Sequence, residues 1–187
     1  MIDLLVYLNH LQALSKEAEK EIINISKLIE VNKNSILQPI GHTCKTIYFL
    51  KTGVARIYYF KDDNEITESF SFENSIVVRY ESLFTNRPSK KAIQLLEDSE
   101  IISIDALAFF GLFVRFPELE GLFNKIIKSA LIETINRVES IQFHTAEERY
   151  NTLIKEAPNV LKRVPLKFVA SYLGITPVSL SRIRGIH

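Results

Sequence analysis

The sequence predicts an α+β protein: an N-terminal antiparallel β-roll (a double-stranded β-helix) with flanking helices, a long central helix, and a small C-terminal helix-turn-helix domain. Three observations predict it. Short β-branched and aromatic runs, separated by turn residues, recur between about residues 31 and 104. The apolar period then turns helical over a stretch of about 26 residues. Near the C terminus, Gly174 lies at the bend between two short segments patterned as packed helices.

At 187 residues, with 47% hydrophobic and 24% charged side chains, the chain has material for one full domain and a small second one, and its composition excludes a disordered or fibrous protein. Cys44 is the single cysteine, which rules out an intrachain disulfide and leaves an iron–sulfur cluster or structural zinc site without its thiolates. The N terminus lacks a basic segment ahead of an apolar one, and no apolar run approaches the ~20 residues of a membrane span. The expectation is a cytoplasmic protein with no membrane partner. His10, His42, His144 and His187 are scattered, with no His-x-His pair, so the clustered ligands of a cupin-type metal enzyme are not predicted. No catalytic residue is assigned, and the chain is not expected to be an enzyme.

In chain order, Ala18, Ile22, Ile25, Leu28 and Ile29 recur near a 3.6 period behind a capping Ser15, with Glu17 and Glu19 in the first turn, predicting an opening helix over 15–29. Strands are predicted at 35–37, 46–51, 54–60, 66–72, 92–96 and 100–105, with turns such as Lys51-Thr52-Gly53 and Lys61-Asp62-Asp63-Asn64 between them. Many short strands at this spacing suggest a compact antiparallel roll. Pro117 suits a first helical turn, and the helix after it runs to about Phe143, some 39 Å at 1.5 Å per residue. Its apolar residues fall on two stripes. Leu119, Leu122, Phe123, Ile126 and Ala130 suit packing on the chain's own roll, whereas Ile127, Leu131, Thr134, Val138 and Ile141 step by four, three, four and three, as in a coiled-coil seam. The second stripe predicts a homodimer. Thr145-Ala146-Glu147-Glu148 reads as a capping box that starts a new helix, stopped by Pro158. The predicted divisions are therefore 1–116, 117–143 and 144–187.

The last division carries the functional signal. From Leu166, apolar or small residues fill the positions that lock a helix-turn-helix: Val169 and Ala170, then Leu173, Gly174 and Ile175, then Leu180 and Ile183. Thr176 caps the second helix and Pro177 opens it. Beyond His144 the net charge is about +4, against about −3 for the remainder, as suits a phosphate-binding segment. The second helix would enter the major groove of double-stranded DNA. Arg182 is the candidate guanine reader, Ser179 and Ser181 lie on the same helix, and Lys167, Thr176 and Arg184 are candidate phosphate contacts.

Together with Thr46-Ile47-Tyr48-Phe49-Leu50-Lys51-Thr52-Gly53-Val54-Ala55-Arg56-Ile57-Tyr58-Tyr59 and Glu65-Ile66-Thr67-Glu68-Ser69-Phe70, these segments resemble the Crp/Fnr family, named for the cyclic-AMP receptor protein and the fumarate–nitrate regulator. The resemblance implies a cyclic nucleotide-binding-like sensor domain, a dimer built on the long helix, a pseudo-palindromic operator, and RNA polymerase as a further partner. It also implies an effector pocket around Arg79, Tyr80, Glu81, Arg87, Ser89, Lys90 and Lys91, open to a cyclic nucleotide or another small anion. Here the chain departs from the family. Arg79-Tyr80 stands where nucleotide-binding members carry Gly-Glu, with Glu81 one place away, and Ser89 or Lys90 stands where they carry the phosphate-holding Arg. Lysine cannot reproduce the two-pronged fork of arginine on a phosphate. In the second helix, Pro177-Val178 replaces the family's frequent Arg-Glu, and Gly185-Ile186-His187 is too short for the wing that commonly follows. Two other readings stay open: a true cyclic nucleotide-responsive regulator, and a degenerate module that acts through protein contacts.

Overall fold

The computed structural model describes residues 1–185; Ile186 and His187, the last two residues of the predicted third division, lie outside the described residues. Two short helices, α1 (Ile2–Leu11) and α2 (Lys16–Asn24), precede strands β1 (Ser26–Val31), β2 (Ile36–Gln38), β3 (Thr46–Thr52), β4 (Ala55–Lys61), β5 (Asn64–Ser71) and β6 (Ser75–Val77). Helix α3 (Tyr80–Thr85) leads to β7 (Ala92–Leu95) and β8 (Ser99–Asp105). Helix α4 (Ala106–Gly111) and a 3-10 turn follow, then α5 (Pro117–Phe143), α6 (Ala146–Glu156), α7 (Val160–Arg163), α8 (Leu166–Leu173) and α9 (Pro177–Gly185).

The strands form two four-stranded antiparallel sheets, in the orders β1-β8-β3-β6 and β2-β7-β4-β5, which face each other as the predicted roll. Alternation along the strands sorts the side chains between two cores. On β3, Ile47 and Phe49 pack with Leu4, Ile22, Leu119 and Leu122 under the helices, while Leu50 joins Ala55, Ile57, Ile93, Leu95 and Ile101 between the sheets. At the β4–β5 hairpin, Asp62 (φ 48°) and Asp63 (φ 62°) are both left-handed, as a two-residue turn matched to strand twist requires. Gly53, at φ 106°, turns β3 into β4, and a Cβ there would lie 2.0 Å from the Ser99 hydroxyl.

One expectation is corrected here. The opening helix does not run over 15–29; it stops at Asn24, and Leu28 and Ile29 lie in β1. The spacing that looked helical is overridden because β1 pairs with β8 along its whole length, from Ser26↔Ile104 to Val31↔Ser99. The helix start itself is as read, with the Ser15 hydroxyl accepting from the Ala18 N–H at 3.2 Å.

The carboxyl-terminal helices share their core with the roll. Tyr150, Leu153, Val160, Val164, Val169, Ala170, Leu173 and Leu180 cluster with Val54 and Leu96, which are roll residues. Helix α8 covers β5, the edge strand of its sheet. The Ser171 hydroxyl accepts from the Thr67 N–H (2.8 Å) and donates to the Glu65 carbonyl (3.0 Å), filling main-chain positions that a bare edge would expose. Beside it, Phe70 packs on Tyr172, and the Arg56 guanidinium lies 3.5 Å from the centre of the Phe168 ring. Arg163 completes the junction with a two-pronged contact to Glu73 (2.9 and 2.5 Å) and further bonds to Glu97.

Candidate nucleic-acid interface and effector region

The geometry of the predicted helix-turn-helix follows from its local chemistry. Gly174 closes α8 at φ 70°, a conformation in which any side chain would crowd its own backbone, and its N–H bonds back to the Ser171 carbonyl. Two residues on, the Thr176 hydroxyl accepts from the Ser179 N–H at 3.1 Å and so starts α9. Leu180 is fully buried and Ile183 packs against the same cluster, fixing which face of α9 turns inward.

The opposite face is open. Thr176, Val178, Ser181, Arg182 and Arg184 are exposed, and neither arginine forms an ion pair among the described residues. Ser179 is half-buried, and the Ser181 hydroxyl donates to the Pro177 carbonyl within its own helix. Lys167 is exposed at the start of α8, its ammonium 4.7 Å from the Phe168 ring centre.

The residues expected around an effector do not converge in the same way. Arg79 is buried at the entry to α3, and Lys91 reaches the same carboxylate as Arg79, that of Glu68 on the neighbouring β5. The Arg79 contact is the longer one, 3.9 Å, and the Arg79 Nε is buried with no hydrogen-bond partner among the described residues. Ser89 is buried and engaged with main chain, donating to the Lys91 carbonyl at 2.7 Å. Tyr80 stacks against Phe84, and burial pushes its phenol above the ordinary tyrosine range. Glu81, Arg87 and Lys90 point into solvent.

Along α5 the two stripes separate. Leu119, Leu122, Phe123 and Ile126 are buried, Ala130 is half-buried, and Ile127 packs at the edge of the helical core. Beyond them Leu131, Ile132, Ile135, Val138 and Ile141 are each about half exposed. Thr134, Val138 and Ile141 also line a cleft bounded by the roll and the turn after α8. Two arginines at that cleft were not singled out by sequence. Arg137 donates to the Tyr172 carbonyl and lies 3.9 Å from the centre of its ring. Arg149 donates to the carbonyls of His144 (2.5 Å) and Leu173 (2.7 Å). The available signal was faint: Arg149 follows directly on the capping box, and Arg137 stands directly before Val138 of the second apolar stripe.

No family model and no curated protein sequence matches the chain. Solved structures do. FixK2 from Bradyrhizobium japonicum is similar at 14% identity and a TM-score of 0.74, covering 86% of this chain and 83% of that one. A transcriptional regulator of the crp/fnr family from Eubacterium rectale is similar at 18% identity and 0.72, covering 91% and 82%. The c-di-GMP responsive global regulator CLP of Xanthomonas campestris is similar at 14% and 0.69, covering 90% and 89%. The chain therefore has the fold of the Crp/Fnr transcription regulators, from the β-roll through the long helix to the terminal helices. Among the described residues, no helix is long and apolar enough to cross a membrane.

Proposed function

We propose that this chain is a cytoplasmic DNA-binding transcription regulator of the Crp/Fnr type, acting as a homodimer on a pseudo-palindromic operator. The observation that carries the reading is the pair of exposed arginines, Arg182 and Arg184, with no ion pair among the described residues, on the outer face of a helix held by a glycine-centred turn. In this reading Arg182 donates two hydrogen bonds to a guanine edge, with Ser179 and Ser181 beside it, while Lys167, Thr176 and Arg184 contact phosphates. Dimerisation through the exposed apolar residues of α5 brings two such helices to successive half-sites.

Affinity for mixed-sequence duplex measured against salt tests this. The expected log–log slope is negative, by roughly 0.9 for each phosphate neutralised. A flat response refutes DNA binding and leaves the protein-contact reading. Selection from random duplex should return an inverted repeat, which tests the dimer and the reading helix together.

The effector is not a cyclic nucleotide bound in the roll in this reading. Arg79 and Lys91 share the single carboxylate of Glu68, and although the three groups keep one net positive charge, an anion there would meet the Glu68 carboxylate at close range. Cyclic AMP should accordingly leave DNA affinity unchanged.

A further inference from the structure

The outer face of α9 has an apolar side chain at its centre. Leu180 and Ile183 turn inward. At about 100° per residue, Val178 lies about 160° round the helix from Leu180 and about 140° from Ile183, so it points almost straight away from the body of the protein. It is 63% exposed and joins none of the apolar clusters among the described residues. Single exposed apolar side chains are common on protein surfaces. This one, however, shares its face with the exposed Arg182, one turn further along. The serines beside it are engaged within the helix: the Ser181 hydroxyl donates to the Pro177 carbonyl, and the Ser179 hydroxyl bonds that of Thr176, both at 3.0 Å. From Thr176 to Gly185 the sequence has no carboxylate. The reading face therefore has no acid to accept from a cytosine amino group, and the first turn presents valine methyls instead.

We propose that Val178 is a specificity-determining residue that packs on the 5-methyl group of a thymine in the major groove, so that each half-site carries a thymine close to the guanine taken by Arg182. The assignment rests on the DNA-binding reading. Branching at Cβ restricts the valine to few rotamers, so the helix itself sets where the methyls lie. Val178 also stands in the N-terminal part of α9, the part of a reading helix that meets base edges. The four-residue step from Val178 to Arg182 is a rise of about 6 Å, or about two base-pair steps of 3.4 Å, which puts the thymine within about two base pairs of the guanine. Cytosine at the same place lacks the methyl and brings an amino group that Val178 leaves without an acceptor, so it is selected against twice over.

Selection from random duplex by the full chain, followed by exchange of single bases in the selected site, tests this. Selection should return a thymine within about two base pairs of the guanine that Arg182→Ala ceases to select. Replacing that thymidine by deoxyuridine removes the methyl and keeps the base pair. Affinity should fall about fourfold per half-site, the worth of one buried methyl-sized group, and exchange at other thymines of the half-site should change it by less than about twofold. Val178→Ala puts a better helix former on an exposed position, so the unfolding midpoint should hold while the protein binds thymidine and deoxyuridine duplexes equally. Val178→Glu should change the selected base at this place from thymine to cytosine, whose amino group a carboxylate accepts. An inverted repeat bound with no loss on deoxyuridine exchange, a fourfold loss that persists in Val178→Ala, or thymine still selected by Val178→Glu overturns the assignment and leaves DNA binding standing. A chain that binds no duplex overturns both.

Discussion

The arginines at the roll junction and those on α9 share a side chain but not a situation. Arg56 is 1% exposed, ion-paired with Glu65 at 2.6 Å, bonded to Gln94 and Thr67, and covered by Phe168. Arg163 is held by two carboxylates, which push its guanidinium above the usual arginine range. Arg182 and Arg184 stand in water with no ion pair among the described residues. A guanidinium whose donors are already taken inside the chain fixes architecture, whereas one kept solvated on a rigid helix retains its donors for an external anion. Net charge does not distinguish the two groups; pairing does.

The sharpest way to break the contrast is to remove one member from each side. Arg56→Ala strips a buried cation from Glu65, Gln94 and Thr67 and leaves a void under Phe168. It should cost about 3 kcal/mol of stability, the low end for breaking a buried pair because Glu65 is partly in water. Urea unfolding checks this, and a loss below about 1 kcal/mol would place Arg56 with the surface arginines. Arg182→Ala should do the reverse, leaving the unfolding midpoint in place while lowering discrimination between operator and mismatched duplex by ~1–3 kcal/mol. Unchanged preference in that variant would remove Arg182 from the reading face.

The contrast also explains what the sequence could disclose. Local rules were legible: the Gly174 turn, the Thr176 cap, the Thr145 capping box with its reciprocal bonds to Glu148, and six of the strands to within about two residues. Each depends on neighbours a few positions away. Strand β1 was not, because only its long-range pairing with β8 separates it from the helical pattern before it. Short elements such as α1, α3 and β6 carry too few residues to establish a period. The outer face of α9 was legible as a charged stretch next to a recognisable bend. The junction was not, since Arg56 meets Phe168 and Ser171 meets Thr67 across about a hundred residues of chain. Glu68 escaped notice for the same reason: nothing near it in sequence marks it as the partner of both Arg79 and Lys91.

A smaller effect tests whether the turn is held by its backbone or by its surroundings. A Cβ on Gly174 would meet only the Arg149 guanidinium, at 4.0 Å, so there is room for it. Gly174→Ala should then lose about 1 kcal/mol, the cost of the left-handed conformation alone, and operator affinity should fall with it as α9 loosens against α8. A loss of several kcal/mol would mean that Arg149 and its carbonyl bonds, rather than φ, dictate the bend.

The smallest effect concerns acid. Hydrogen bonds from Arg163 hold the Glu73 carboxyl down at about 2, against an ordinary value of 4.5, with burial opposing the shift. Because the folded value is depressed, the pair's contribution is present in full above about 4.5 and is lost as pH falls from there toward 2. Glu73 is a third exposed, so water screens the pair and its worth is about 1 kcal/mol or less. The test is therefore comparative: between pH 5 and pH 3, wild type should lose more thermal stability than Glu73→Gln, whose amide does not titrate over this range. The carboxyl-terminal helices, clamped to the roll by Arg163, should loosen first, with the amides of 160–173 losing exchange protection ahead of those in β3 and β8. Equal acid sensitivity in the two proteins would show that the clamp rests on the apolar contacts of Val54 and Leu96 with α8 and its neighbours, and that the ion pair only decorates it.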